Sequence, residues 1–335
     1  MFEIDFLSVG DGERSGDAIA ARFARADTGG MAHVVIDAGL QGDGAALVEH
    51  VKQYYGVGTV DLAILTHPDG DHIGGMGEVV RGLQVAELWL HRIGARGGAS
   101  LPAAAAVEDL IRVAQGQGTT VAEPWAGDQR FGGALTILGP DKTYYEALVA
   151  EQVAEGPPVA KASRAATLLE AARGVFARLT DALGVEIPFA EQDVTPRNNS
   201  SIITLLRLDD SILLLTGDAG VPALDRAWTF GESEGWVRPP TFVQVPHHGS
   251  RRNCSSAWLD RLLGECGQEE WRTAFVSVVA ESPDHPSGKV VNAYKRRGCK
   301  VVATTTSTKV HYKGTTGRPG WVAAVPLGAM VEEDD

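Results

Sequence analysis

The residues best placed to do chemistry lie in Leu65-Thr66-His67-Pro68-Asp69-Gly70-Asp71-His72-Ile73-Gly74-Gly75. Four potential metal ligands, His67, Asp69, Asp71 and His72, fall within six residues at the end of an apolar run. In a tight turn, the pair His67/Asp69 and the pair Asp71/His72 can face two neighbouring cation positions. Gly70, Gly74 and Gly75 permit the bends this needs. Mixed imidazole and carboxylate donors suit Zn²⁺ and also Mn²⁺. The structural alternative is a polar loop capping a helix after Ile73, with Asp69 or Asp71 as the N-cap.

Two other segments repeat the strand-then-donor pattern. In Leu213-Leu214-Leu215-Thr216-Gly217-Asp218, the acid ends a strand too apolar to be an edge, where a carboxylate can bridge two ions. A Gly-Asp pair is also ordinary turn chemistry. In Val243-Gln244-Val245-Pro246-His247-His248-Gly249-Ser250, one histidine can bind metal while the other orients a ligand or meets substrate. Asp37 follows Val34-Val35-Ile36, and its expected task is to hold His67 or His72 by a hydrogen bond. Asn198, Asn199 and Ser200 precede a strand and can offer an amide or hydroxyl to the site. His285 sits in a polar loop before a helix, where it can contact a leaving group or serve structure alone. His33, His50, His91 and His311 have no comparable context and read as packing or surface residues.

The elements that must position these residues alternate short apolar β-branched runs with Ala-rich helical patterns. Strands are expected at 2–9, 18–25, 33–37, 60–66, 87–91, 134–138, 200–208, 211–216, 241–245, 273–279 and 300–305. Helices are expected at 44–55, 75–81, 102–115, 256–263 and 287–297. Asp209-Asp210 marks a hairpin turn. Residues 141–191 look different: a Gly-Pro-Pro stretch precedes a long amphipathic run over 161–183. This reads as a helical insertion in a loop, since a helix or hairpin of that size lacks its own core. Two strand-rich halves with helices between them suggest an α/β fold of two packed sheets with helices outside. No internal repeat is visible, and GxGxxG and GxxxxGK[ST] are absent. The acidic tail 331–335 is expected to fray.

The composition narrows the function classes. Of 335 residues, 44% are hydrophobic and 22% charged, which excludes a disordered chain. A formal charge of −13 makes a poor general binder of long nucleic acid, although a local basic patch can still serve. The eight bases of 281–318 face only Glu281 and Asp284, and Arg251 and Arg252 directly follow Ser250. Such a basic rim suits a phosphodiester; the alternative is solvated faces of a helix and a hairpin. Cys254, Cys266 and Cys299 form no CxxC pair and read as reduced thiols. The start MFEIDFLSVG is unlike a signal peptide, and no apolar run approaches the ~20 residues of a membrane span. A soluble, cytoplasmic protein is expected; oligomeric state is left open.

Taken in order, these motifs resemble the metallo-β-lactamase superfamily of hydrolases. That resemblance implies one αββα sandwich domain of two mixed sheets flanked by helices, with a metal site at one edge and the insertion at 141–191. The family loop HxHxDH appears as His67-Pro68-Asp69-Gly70-Asp71-His72, with Asp69 replacing the second histidine. That variant resembles the branch containing the C-terminal hydrolase domain of the ComEC/Rec2 DNA-uptake proteins. Gly16-Asp17-Ala18, Asn198-Asn199-Ser200-Ser201, Thr216-Gly217-Asp218, His247-His248-Gly249-Ser250 and His285-Pro286 fit the same branch. Many superfamily members carry a histidine shortly before the strand leading to the bridging acid, where this chain has Asn198 and Asn199. The first metal position is therefore expected to rely on His67, Asp69 and Asp218, and the added oxygen shifts preference from Zn²⁺ toward Mn²⁺.

The implied cofactors are two divalent ions, Zn²⁺ or Mn²⁺, held by His67, Asp69, Asp71, His72, Asp218 and His247 or His248. At a separation of about 3.5–4 Å they acidify a bridging water for in-line attack. Asp69 or Asp71 would orient that nucleophile; His248 or His285 would stabilise developing charge or serve the leaving oxygen. The substrate expected is a phosphodiester: short or single-stranded nucleic acid, or a cyclic nucleotide. Hydrolysis of an ester, lactone or β-lactam is the competing enzyme reading, and it requires an apolar acyl pocket. A non-catalytic metal-binding scaffold is the third, for which a single closed four-ligand ion would suffice.

Overall fold

A computed structural model describes residues 1–98, 101–155 and 186–332. Along the chain come β1 (Phe2–Phe6), a small hairpin of β2 (Gly10–Asp11) and β3 (Arg14–Ser15), then β4 (Ala18–Ala24) and β5 (Met31–Ala38). Helix α1 (Asp43–His50) continues as one π-helical stretch (Val51–Tyr55) into β6 (Thr59–Ile64). Next are α2 (Gly70–Ile73), α3 (Met76–Gly82), β7 (Gln84–Trp89), α4 (Pro102–Gly116) and β8 (Thr120–Ala122). The second half opens with β9 (Gln129–Arg130), β10 (Leu135–Gly139) and α5 (Lys142–Glu155). After α6 (Pro196–Asn199) come β11 (Ile203–Leu208), β12 (Ser211–Leu215), α7 (Val221–Ser233) and β13 (Phe242–Gln244). The chain then adds α8 (Ser256–Leu263), β14 (Gln268–Val276), α9 (Gly288–Arg296), β15 (Arg297–Ala303) and β16 (Lys309–Lys313).

The strands form two mixed sheets, ordered β16-β1-β4-β5-β6-β7-β8 and β15-β14-β13-β12-β11-β10-β9. Alternation along each strand sorts side chains into three cores. Phe6, Trp89, Leu213, Phe242 and Phe275 fill the space between the sheets. Leu47, Val79, Val80, Leu110 and Ile111 seal α1, α3 and α4 onto the outside of the first sheet. Leu224, Trp228, Leu259, Leu262, Val290 and Tyr294 seal α7, α8 and α9 onto the second. The result is the expected αββα sandwich.

This topology decides where the chemistry can sit. β5, β6, β7 and β8 run parallel, and so do β12, β13, β14 and β15. Asp37 is at the C-terminal end of β5, whereas His67, Asp218 and His247 lie just beyond the C-terminal ends of β6, β12 and β13. Crevices outside such strand ends are the usual ligand sites of α/β sheets. β4 and β11 run antiparallel to their neighbours, so their beginnings, Asp17 and Ser201, reach the same edge. Ile202 N donating to Thr66 O at 3.0 Å ties the two sheets together there.

Several elements differ from the sequence expectation. Helix α7 is interrupted in sequence by Pro222, Thr229 and Gly231, which hide its apolar face, yet Ala223, Leu224, Ala227 and Trp228 are buried. β8, β9 and β16 are too short or too polar to announce themselves. Residues 142–155 of the expected insertion form α5, whereas the amphipathic run at 161–183 lies outside the described residues. The tail is held at its described end: Glu332 is buried and pairs with Arg296 at 2.7 Å.

Four of the eight bases in 281–318, Arg296, Arg297, Lys313 and Arg318, are held in ion pairs. Arg297 is 1% exposed and pairs with Glu186 and Asp260. Arg318 pairs with Glu3 and Asp5, and Lys313 pairs with Asp210. Long-range ion pairing, invisible to a local charge count, uses these bases to fasten the chain.

Candidate metal centre

The loop after β6 runs extended from Leu65 to Asp69, then turns into the single turn of α2. Asp69 is the N-cap of that turn, but its side chain makes no capping bond and points elsewhere. His72, on the same turn, is fully buried. The turn after β13 places His247, His248 and Gly249 in succession at φ 48°, 53° and 83°. Left-handed backbone at two consecutive histidines costs free energy, of order 1 kcal/mol or more each, and concentrates at functional sites. Gly249 is required here, because a Cβ would lie 2.6 Å from Pro286 Cβ. Asp37 is also left-handed, at φ 54°.

Each of four histidines has its Nδ1 engaged outward. His72 Nδ1 donates to Asp37 Oδ2 at 2.7 Å. His248 Nδ1 donates to Ser277 O at 2.9 Å. His247 Nδ1 donates to Asn253 Oδ1 at 2.9 Å, with the Asn253 amide oriented by its own bond to Asp218 O. His67 Nδ1 lies 3.2 Å from Thr66 Oγ1, whose proton goes to Asp37 Oδ2. All four Nε2 atoms are thereby turned toward the carboxylates, the tautomer and aim of metal-binding imidazoles.

Asp218 stands between two groups of donors. Its Oδ2 is 3.7 Å from His67 Nε2 and 3.5 Å from His247 Nε2. Its Oδ1 is 3.3 Å from His72 Nε2. Asp69 Oδ2 completes the first group at 3.5 Å from His67 Nε2. Asp71 Oδ2 completes the second, 3.3 Å from His248 Nε2 and 4.0 Å from His72 Nε2. Two of the triads that could hold an ion are His67/His72/Asp218 and Asp71/His72/His248. His67 Nε2, His72 Nε2 and Asp218 Oδ1 are buried with no hydrogen-bond partner. Orphaned buried donors and acceptors are costly, and cations at these positions would satisfy all three. The donor set thus fits a pair of divalent ions and is consistent with a dinuclear hydrolase site.

Electrostatics agree. Burial would raise the Asp218 carboxyl, but His247, His72 and His67 hold it well below the usual range. Burial would lower the His248 imidazole, but the hydrogen bond its Nε2 donates to Asp71 and the charge of Asp218 push it up to about 9. Behind them Asp17 is 1% exposed, and burial raises its carboxyl. Gln244 Nε2 donates to its Oδ2 at 3.0 Å.

The remaining expected residues lie close by with varied contacts. Asn198 Nδ2 is 3.2 Å from His247 Nδ1. Asn199 Oδ1 accepts from Gly220 N, fixing the turn after Asp218. Ser250 Oγ accepts from Arg252 N and caps its own turn. The His285 ring is tilted against that of His247 at 6.0 Å, with its Nδ1 donating to Asp284 O. Arg252 is exposed and Arg251 partly buried. Residues not singled out from the sequence include Arg197, whose NH1 donates to Asp69 Oδ1 at 2.6 Å, and Asn253, which orients His247. Arg197 adjoins Asn198 in sequence, but only the fold brings it to Asp69.

Residues 24–264 match the model of the metallo-beta-lactamase superfamily. No curated protein matches the chain. Among solved structures, zinc-bound PqqB from Methylobacterium extorquens is 11% identical with a TM-score of 0.47, covering 92% of this chain and 99% of its own. The metallo-beta-lactamase fold protein YhfI from Bacillus subtilis is 10% identical with a TM-score of 0.44, over 92% and 99%. A diphosphatase from the PhnP family is 10% identical with a TM-score of 0.41, over 93% and 98%.

Proposed function

Because the chain belongs to the metallo-beta-lactamase superfamily, we propose that it is a hydrolase using two divalent cations to cleave phosphodiesters: short or single-stranded nucleic acid, or a cyclic nucleotide. The observation that carries this reading is Asp218, buried between two donor groups with its oxygens facing three histidine Nε2 atoms. His67, Asp69, Asp218 and His247 would hold one ion; Asp71, His72, His248 and Asp218 would hold the other. On this assignment the adjacent histidines divide between the sites, and His247 supplies the nitrogen that Asn198 and Asn199 cannot. Bound there, the cations supply Lewis acidity and an acidified water. Oxygen-rich donors keep Mn²⁺ a candidate beside Zn²⁺.

The chain's own residues divide the remaining work. Asp37 and Thr66 fix the rings of His72 and His67, and Ser277 fixes His248. Asp69 and Asp71 are about a quarter exposed and can orient a nucleophile. His285, beside His247, would meet a leaving oxygen. Arg251 and Arg252 follow the histidine turn and would contact an anionic substrate. Kinship with the ComEC/Rec2 hydrolase domain rests on the motif order and supports the phosphodiester class. A single domain with an insertion at 141–191, in the cytoplasm, fits this reading. No described helix is long and apolar enough to cross a membrane, and all three cysteines are free.

Hydrolysis of an ester, lactone or β-lactam is the second reading. It is favoured by the pairing of Arg296, Arg297, Lys313 and Arg318 with acids, which leaves less positive charge for a phosphodiester. The deciding experiment is a substrate screen under Mn²⁺ and Zn²⁺ in parallel. It includes bis-p-nitrophenyl phosphate, single- and double-stranded DNA, RNA, cyclic dinucleotides, a lactone and a chromogenic β-lactam. Phosphodiester turnover that stops on chelation is expected. Turnover of the lactone or β-lactam alone would replace the main reading with the second.

A further inference from the structure

Arg197 sits on the one-turn helix α6, directly before the asparagines. Its NH1 donates to Asp69 Oδ1 at 2.6 Å, and the two side chains are 31% and 27% exposed. Its Nε is buried without a hydrogen-bond partner. The helix is anchored by its own N-cap, with Asn198 N donating to Thr195 Oγ1, and Ser200 Oγ donates to Arg197 O. The guanidinium is therefore delivered to the donor cluster from a fixed backbone. Asp69 is divided: Oδ1 faces Arg197, while Oδ2 faces His67 Nε2 at 3.5 Å.

Three carboxylates, Asp69, Asp71 and Asp218, share this small volume. Three anions would neutralise most of the charge of two divalent cations and leave little attraction for an anionic substrate. Arg197 offsets one of them and takes one oxygen of Asp69 out of competition. What remains of Asp69 is a single oxygen in a nearly neutral pair, electrically closer to an imidazole than to a free carboxylate.

We propose that Arg197 is the positioning residue of the metal centre. It makes Asp69 a one-oxygen, charge-compensated ligand and so keeps the centre positive enough to bind a phosphoryl anion. The proposal rests on the dinuclear reading above. It places the residue that offsets the carboxylate charge on α6. An Asp at position 69 and a cation at position 197 thus act as one unit, and neither should be replaceable alone.

The test uses the full chain as wild type, Arg197→Met, Arg197→Lys, Asp69→His and the double variant Asp69→His/Arg197→Met. Far-UV circular dichroism and melting confirm folding. Metal uptake is read by elemental analysis and titration calorimetry with Mn²⁺ and Zn²⁺, and anion affinity by binding of inorganic phosphate to the loaded protein. Arg197→Met should keep two ions but bind phosphate roughly ten- to hundredfold more weakly, as expected for loss of a charge-assisted contribution. KM for bis-p-nitrophenyl phosphate should rise by a similar factor with kcat little changed, and Arg197→Lys should recover part of the loss. Asp69→His alone leaves Arg197 unpaired beside a cation and should lose one ion; the double variant should regain it and favour Zn²⁺ over Mn²⁺. Wild-type phosphate affinity in Arg197→Met, or a double variant no better than Asp69→His, would overturn the proposal. If the wild type cleaves no phosphodiester, the functional reading fails, while ion uptake and phosphate binding still decide the role of Arg197.

Discussion

Asp37 and His72 are locked together, Oδ2 to Nδ1 at 2.7 Å, with both side chains fully buried. The other oxygen of Asp37 accepts from Thr66 N at 2.8 Å, and Thr66 Oγ1 also donates to Oδ2. One carboxylate at the end of β5 thus orients the loop after β6 and the imidazole of α2 together. Asp37→Asn would place an amide donor or a weaker acceptor against His72 Nδ1. Metal affinity should fall about 10- to 100-fold, the usual effect of losing such a support. Calorimetric titration of the apo variant checks this, and unchanged affinity would mean Asp37 only closes a turn.

Asp218→Ala removes the one carboxylate that faces both donor groups. Metal content should drop below two per chain under Mn²⁺ or Zn²⁺, because the ions lose a shared ligand and the screening of their mutual repulsion. Elemental analysis after gel filtration measures it. A variant that retains two ions and full turnover would reduce Asp218 to a turn residue.

A second buried polar cluster makes a prediction about stability alone. Asp5 is 0% exposed and receives Arg318 through both terminal nitrogens, at 2.7 and 2.8 Å, and Tyr55 OH at 2.5 Å. Arg318 also lies over the rings of Tyr54 and Trp321. Arg318→Met would leave the buried Asp5 without its guanidinium, while Glu3 keeps Arg22, and should cost about 3–5 kcal/mol, as for a broken buried pair. Tyr55→Phe should cost about 1–3 kcal/mol by leaving one acceptor less satisfied. Urea unfolding with metal in excess separates these effects from the metal centre. A loss under 1 kcal/mol for Arg318→Met would show that water reaches the cluster.

The legible part of the fold was the part written in local pattern. Apolar runs such as Ile212–Leu215 and the 3.6-residue period of α8 need no partner to be recognised. The candidate site was legible for the same reason: His67 to His72, Asp218 and His247-His248 each follow a strand, and parallel topology brings strand ends to one edge. What stayed hidden depends on pairing across the chain. Nothing near Arg297 or Arg318 in sequence foretells Glu186 or Asp5, so a local charge count does not reveal that half of the basic stretch fastens the chain. Arg197 carries no local signal for the complementary reason, since its partner Asp69 is 128 residues away.

His311 offers a pH prediction separable from the metal centre. It lies on the edge strand β16, with its ring stacked 4.8 Å from Phe242 and tilted against Phe2 at 5.6 Å. Burial among these rings pushes its imidazole down from 6.5 to about 4. The unfolded chain takes up a proton near pH 6.5 that the folded chain refuses until about pH 4. Stability from this group is therefore complete above pH 6.5, is lost progressively as pH falls to about 4, and declines no further below that. The shift corresponds to at most about 3 kcal/mol, and partial exposure of His311 brings the expectation to about 1–3 kcal/mol. His91 is shifted down to about 4 as well, by burial, and contributes in the same direction. His311→Phe keeps a planar ring in the aromatic cluster and removes the proton site. Its stability should match or exceed wild type at pH 7, and its loss between pH 6.5 and 4 should be smaller by about 1–3 kcal/mol, with His91 and the metal centre cancelling in the difference. Urea titrations of both proteins at half-unit pH steps, with chelator present throughout, measure that difference. Parallel curves for the two proteins would mean that His311 titrates normally and is open to water in the folded state.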